Sequence, residues 1–266
     1  TFPNARTGTP MDLPVFPEEP GQPSLFTYRQ IIDPAVQSDE PEPVTCLNWP
    51  QNDYWLGPVL GADPGLAQER LCHARSLTLS VVHWLREELG WVGLRLRPDV
   101  AGTPDGLAMA PYHRESRRIV GHTTMTEHDV TGPGRRFRTD SVGVGQYRID
   151  LHPRADGSPT VDIAAQPFQI PLGCLVPGST PNVIAAGKCL SVTHVANGCF
   201  RVHPVEWNVG EAAGRLAGFC LEKSVEPQDV ASGPALLKEF QDRIVRAGVQ
   251  ITWPEGLEAL DPDVLG

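Results

Sequence analysis

Ionisable and amide side chains crowd one short stretch of this chain: Lys188, Cys189, Ser191, Thr193, His194, Asn197, Cys199, Arg201, His203 and Glu206. A neutral imidazole at His194 or His203 can take a proton near neutral pH, and Arg201 can hold an anion. The stretch joins an apolar run that ends in glycine, Pro181 to Gly187, to a segment with helical apolar spacing, Glu206 to Leu221. The run reads as a buried parallel strand, and the C-terminal edge of such a strand together with the next helix's N-terminus makes a ligand crevice. Free backbone N–H groups and the helix dipole there stabilise an anionic or electron-rich group. Within the helix Gly210, Gly214 and Gly218 recur every four residues and smooth one face for another backbone or a flat ligand. Each costs about 0.8–1 kcal/mol relative to Ala, so the face calls for a packing or binding reason.

Further candidates lie upstream. His152 is a third possible proton acceptor, and Arg114 and Arg148 join Arg201 as groups that could orient a polar or anionic substrate. Cys199 and His203 suggest a Cys/His acyl-transfer or hydrolytic enzyme, but Pro204 argues against the helix that would bring them together. The six cysteines at 46, 72, 174, 189, 199 and 220 form no CxxC pair and read as free thiols of a reducing, cytoplasmic compartment. His73 and His83 stand roughly 80° apart around a helix, which does not suit a shared metal.

The elements that position these residues follow from the pattern. Residues 1–25 are Pro-rich and read as an extended arm; 26–175 read as a substrate or cap domain, 176–225 as part of a cofactor-binding domain and 226–266 as a final helix and tail. Leu25 to Ile32 has strand composition. Asp63-Pro64 opens a helix that carries apolar periodicity from Gly65 to Leu89 and ends at Gly90. Arg117 to Ile149 reads as short antiparallel strands and turns, and 156–180 as loop. Ser232 caps a last helix that begins at Pro234 and runs to Ala247. The fold class is α/β with mixed α+β character, a mainly antiparallel β domain accompanied by a long helix.

Composition excludes several partners. With 22 basic against 32 acidic residues the net charge is −10, which disfavours nucleic acid and anionic membrane surfaces. No apolar run approaches the ~20 residues of a membrane span. The start, Thr1-Phe2-Pro3, lacks Met and suits either a trimmed chain or a piece of a longer one.

Three stretches carry a resemblance. They are Pro167 to Gly173, Asn182 to Lys188, and Thr193 to Gly214, the last reading THVANGCFRVHPVEWNVGEAAG. They resemble the C-terminal half of FAD-dependent oxidoreductases with a glutathione-reductase-like flavin fold. Tyr112 to Gly121 (YHRESRRIVG) and Asp140 to Pro153 are similar to the same family's middle segment. The resemblance implies FAD as cofactor and hydride transfer from a small organic substrate. It implies that Ala186, Gly187 and Lys188 line the ribityl chain, that Asn197 contributes to the cofactor site, and that Glu206, Trp207, Asn208, Val209 and Gly210 face the flavin O2 edge. Lys188 stands where many such flavoproteins carry an Asp that bonds a ribityl hydroxyl. No G-x-G-x-x-G follows a strand, since Gly143-Val144-Gly145 continues as Gln146-Tyr147-Arg148. The expectation is therefore a heteromer in which a second polypeptide supplies the ADP-binding unit, from a cleaved precursor or a split gene. A non-catalytic binding or regulatory subunit of the same fold is the other reading.

Overall fold

The computed structural model describes residues 24–37, 42–49, 52–131, 137–152, 154 and 160–254, with the backbone of 2–3 and 10–11. Its contacts divide the chain into two units, 1–112 with 152–159, and 113–151 with 160–266. Residues 113–151 and 160–175, grouped by sequence with the cap, contribute strands and core to the second unit.

The first unit contains the antiparallel pair β1 (Phe2–Pro3) and β2 (Pro10–Met11), α1 (Leu25–Tyr28), the antiparallel pair β3 (Gln30–Ile32) and β4 (Val44–Thr45), α2 (Pro64–Glu87) and α3 (Pro98–Ala101). The strand expected over 25–32 survives only as β3. Its first half is one helical turn, because Ser24 accepts from the Thr27 N–H at 3.3 Å through its hydroxyl and from the Tyr28 N–H at 2.8 Å through its carbonyl. Helix α2 begins as the sequence requires: the Asp63 carboxylate accepts from the Gly65 N–H at 2.9 Å, Pro64 occupies the first turn, and Gly90 leaves at φ 72. Of its residues only Leu85 is fully buried, in a small cluster with Trp49, Phe26, Leu47, Val81 and Trp91.

The second unit holds α4 (Glu127–Thr131), β5 (Ser141–Gly145), β6 (Ile149–Leu151), β7 (Val161–Ile163), β8 (Phe168–Pro171), a 3-10 turn at Leu172–Cys174, α5 (His194–Phe200), α6 (His203–Lys223), α7 (Pro227–Ser232) and α8 (Pro234–Arg246). β5 pairs antiparallel with β8, Gly145 opposite Phe168, and β6 with β7, Leu151 opposite Val161. The antiparallel reading of 117–149 thus holds for β5 and β6, whereas 117–125 makes only isolated bridges, Gly121 to Pro177 and Met125 to Val192. The loop expected over 156–180 is a correction: Val161–Ile163 and Phe168–Pro171 are strands, paired with Ile149–Leu151 and Ser141–Gly145. The buried parallel strand expected over 181–187 is another. Asn182 sits at φ 55, Val183 and Ala186 are exposed, and among the described residues the run joins no ladder; the Ala185 N–H bonds the Leu175 carbonyl at 2.8 Å.

The core unites the sheets with α5, α6 and α8. Phe168 stacks on Phe200 at 4.5 Å, and Phe219 meets Phe240 at 5.5 Å. Each such fully buried ring contributes about 1.5–3 kcal/mol. Gly121 and Gly173 cross so closely that a Cβ on Gly121 would overlap the Gly173 carbonyl, which fixes the path of 120–125 over the 3-10 turn. Helix α8 starts from Gly233, not from a Ser232 cap; Ser232 closes α7 instead. The molecule is a mixed α/β protein of helices and small antiparallel sheets. No helix among the described residues is long and apolar enough to cross a membrane.

Candidate functional site

The polar connection contains a helix that its sequence pattern did not announce. The Thr193 hydroxyl accepts from the Ala196 N–H at 3.1 Å and caps α5, so His194 to Phe200 coil instead of looping. Segment 113–125 laces onto the residues just before it. Lys188 Nζ donates to the His113 carbonyl, Ile119 N–H to Cys189 O at 2.9 Å, Arg118 Nε to Val192 O at 2.9 Å, and Met125 N–H to Ser191 O at 3.1 Å. The Ser191 and Thr124 hydroxyls meet at 2.8 Å.

The two segments expected around a cofactor come together. A Cβ on Gly210 would stand 3.7 Å from the Ala186 carbonyl, and one on Gly187 3.4 Å from Glu206 Oε2. Asn208 Nδ2 donates to the Val144 carbonyl at 2.8 Å, which fastens α6 to β5, and Val209 is buried in the core. Trp207 is 77% exposed. Gly210 is half-buried, while Gly214 and Gly218 meet no described residue within 4 Å of an added Cβ, so among the described residues nothing packs closely on these two glycines. Val202 precedes α6 in extended conformation without a side-chain cap, and the first backbone bond is Glu206 N–H to Val202 O at 2.9 Å. The N–H groups of His203 and Val205, ahead of it, have no acceptor within the helix.

The candidate acid–base and anion-binding groups divide. His194 is the first residue of α5 and half-buried; His203 is the first residue of α6 and exposed. His152 belongs to the first unit, where Nδ1 bonds Asp53 Oδ2 at 2.5 Å. Arg201 is only 7% exposed: Nε pairs with Glu115 at 2.8 Å and Nη2 donates to the Asp150 carbonyl at 2.5 Å, tying the end of α5 to β6. Arg148 pairs with Asp162 at 2.7 Å between β6 and β7. Asn197 is fully buried, and neither its Nδ2 nor its Oδ1 has a partner. That is an expensive arrangement for an amide, since an unsatisfied buried polar group costs about 1–3 kcal/mol. Glu127, to which the sequence assigned no role, accepts from the Thr193 hydroxyl at 3.0 Å; hydrogen bonds to its own backbone and to Thr193 hold its pKa below the ordinary value. A Thr cap followed by His was the available signal for α5, but nothing local pointed to the long-range partners Glu115, Glu127 or Asp53.

Cys199 is no nucleophile here. It is completely buried, its thiol donates to the Ala196 carbonyl at 3.1 Å, and desolvation pushes its pKa up to about 12. α5 ends at Phe200 and α6 opens at His203, so Cys199 and His203 share no helix. Among the described residues no group of three or more His, Cys, Asp or Glu could hold a metal.

Helices and small antiparallel sheets that present an uncapped helix N-terminus, imidazoles and a glycine-smoothed face define a protein suited to a flat, electron-rich ring. The chain belongs to the FAD dependent oxidoreductase family, whose model matches residues 7–244. FAD is its cofactor and oxidation–reduction its chemistry. No curated protein and no solved structure matches it. The donor set fits this cofactor: the first N–H groups of the 21-residue α6, which have no acceptor within the helix, suit the negative charge that reduced flavin carries at N1 and O2, Trp207 is exposed in the same part of the helix, and exposed Ala186 lies against Gly210. Gly143 and Gly145, by contrast, face Ile170 and Phe168 within the sheet and form no phosphate cradle.

Proposed function

We propose that this chain supplies the C-terminal half of a glutathione-reductase-like flavoenzyme that takes a hydride from a C–H bond of a small organic substrate, and that a second polypeptide supplies the ADP-binding G-x-G-x-x-G unit. The observation that carries the reading is the outer face of α6. Trp207, Gly214, Gly218 and Leu221, the first and last 77% and 82% exposed, share one side, while Val209, Ala212, Ala213, Leu216 and Phe219 sink into the core. Ala186, at the end of the run 183–186 that joins no ladder among the described residues, lies against Gly210 of the same helix.

In this reading Ala186, Gly187 and Lys188 follow the ribityl chain, and Glu206 to Gly210, through Trp207, Asn208 and Val209, meet the pyrimidine edge. The unsatisfied amide of Asn197 adds donor and acceptor capacity once α5 adjusts to a bound ligand. FAD, when bound, supplies a two-electron acceptor. An imidazole of this chain would take the proton that the substrate releases. His194 is the first choice of base, because it is half-buried at the start of α5, within the polar connection that leads to α6. His203 is next and His152 third, and residues 26–175 serve as substrate or cap domain. Arg201 acts through its ties to Glu115 and Asp150 by holding α5 in place. The compartment is cytoplasmic, in keeping with six unpaired thiols.

Co-expression with a polypeptide that carries the ADP-binding unit is expected to give a stoichiometric flavin complex, whereas the chain alone binds FAD weakly. Tight stoichiometric binding by the isolated chain overturns the split arrangement. In the complex, His194→Ala or His203→Ala lowers the rate of flavin reduction by roughly 10²–10⁴ for whichever is the base. Parent rates in both variants move that role elsewhere.

A further inference from the structure

Among the described residues no carboxylate pairs with Arg118. It is half-buried, and its guanidinium is held by two backbone carbonyls, Nε on Val192 O and Nη1 on Ser116 O, both at 2.9 Å. Among the described residues no carboxylate stands within the 4.0 Å of an ion pair. Other arginines of the same unit behave differently. Arg138 holds Asp129 at 3.3 Å, Arg148 Asp162 at 2.7 Å, Arg201 Glu115 at 2.8 Å, Arg215 Glu211 at 2.7 Å and Arg243 Glu222 at 2.6 Å.

The two carbonyls orient the guanidinium fork and leave its Nη2 edge uncommitted. A half-buried cation already held in one orientation has its side-chain entropy cost met before a ligand arrives, and an anion's attraction offsets the desolvation. The nearby carboxylates are already engaged: Glu115 with Arg201, and Glu127 with the Thr193 hydroxyl. Arg117, adjacent and exposed, adds positive potential to a molecule that is otherwise net negative. Val192, which anchors Arg118, is two residues before His194.

We propose that Arg118 is the receptor for a carboxylate on the substrate. With Nε and Nη1 held by carbonyls, Nη2 is left to donate a charge-assisted hydrogen bond to a carboxylate. Anchored there, the substrate's anionic end lies by the Val192 carbonyl, two residues before the proposed base His194. The proposal rests on the flavin-oxidoreductase reading for the identity of the ligand as substrate; the anion site itself does not need flavin.

The test is a titration of the purified protein with benzoate and acetate, and separately with inorganic phosphate, at an ionic strength fixed with chloride, read by calorimetry and by the shift in Tm. The parent is expected to bind benzoate or acetate saturably. Arg118→Gln weakens that binding at least tenfold, Arg118→Lys weakens it less, and Arg215→Gln leaves it unchanged. A lower Tm in Arg118→Gln with carboxylate affinity preserved means that the residue only staples 113–121 to Val192, and overturns the proposal. A phosphate response that depends on Arg118 without a carboxylate response overturns the carboxylate assignment. If Arg118→Gln does not fold, the ¹⁵N guanidino resonances of the parent decide: no shift of the Arg118 signals at saturating benzoate overturns it. Failure to take up FAD leaves this titration readable, and an FAD-loaded protein without an Arg118-dependent response fails on this point alone.

Discussion

Burial separates the six thiols into two chemically different sets. Cys46, Cys72 and Cys189 are exposed, whereas Cys174, Cys199 and Cys220 are buried. Desolvation raises Cys174 and Cys199 from 9.0 to about 12 and raises Cys220 as well. A disulfide reagent at pH 8 is expected to modify three thiols of the native protein rapidly and the other three only on unfolding. Rapid reaction of all six contradicts this burial. The same shifts set a sign for alkaline stability. Above the ordinary 9.0 the unfolded chain releases protons that folded Cys174 and Cys199 retain to about 12, so stability from these groups falls as pH rises through that window. Residue chemistry was legible in part. His194, His203 and Arg201 were visible as types, but that Arg201 is spent on Glu115 and Asp150 depends on residues 86 and 51 positions away, beyond any local pattern.

Helices α5 and α6 place small residues for opposite reasons. Gly198 on α5 lies against β6, where a Cβ would come within 3.0 Å of the Asp150 nitrogen and 3.1 Å of Ile149 Cγ2. Gly214 on α6 has nothing within 4 Å. Gly198→Ala is therefore expected to destabilise the chain by about 1–3 kcal/mol through overpacking, and Gly214→Ala to stabilise the isolated chain by about 0.5–1 kcal/mol through helix propensity. Urea denaturation of both variants measures the difference, and a common sign would contradict the packing described. A bulky Gly214→Leu, harmless to the isolated chain, should lower flavin occupancy of the assembled protein if that face receives the ADP-binding unit. The glycine repeat was plain in the sequence. Which face it occupied, and that the face stays open, was not, because periodicity gives spacing without neighbours.

Core is distributed unequally between the two units. The second buries Val142, Ile170, Phe200, Leu216, Phe219 and Phe240 in one continuous cluster, while the first fully buries only Trp49 and Leu85 in its cluster. Local opening follows burial, so amides of α2 are expected to exchange on the order of tenfold or more faster than those of β5, β8 and α6, a difference of at least about 1.4 kcal/mol. Hydrogen exchange followed by mass spectrometry on peptides from each element tests this. Equal protection would show that α2 is held by more than its own small cluster.

The sequence by itself determined the elements whose signals are local. Asp63-Pro64 and Gly90 bound α2, apolar spacing marks α6 and α8, and the string from Thr193 to Gly214 pointed to the FAD-dependent family that the whole-chain comparison bears out. Such signals work because caps, turn residues and helical periodicity act within a few residues of one another. Only the tertiary structure decided that Val161–Ile163 and Phe168–Pro171 are strands and that, among the described residues, 183–186 joins no ladder and Arg118 meets no carboxylate. A strand exists only when another strand completes its hydrogen bonds, and a charge is paired or unpaired only by what folds against it. Both conditions are set by residues remote in sequence.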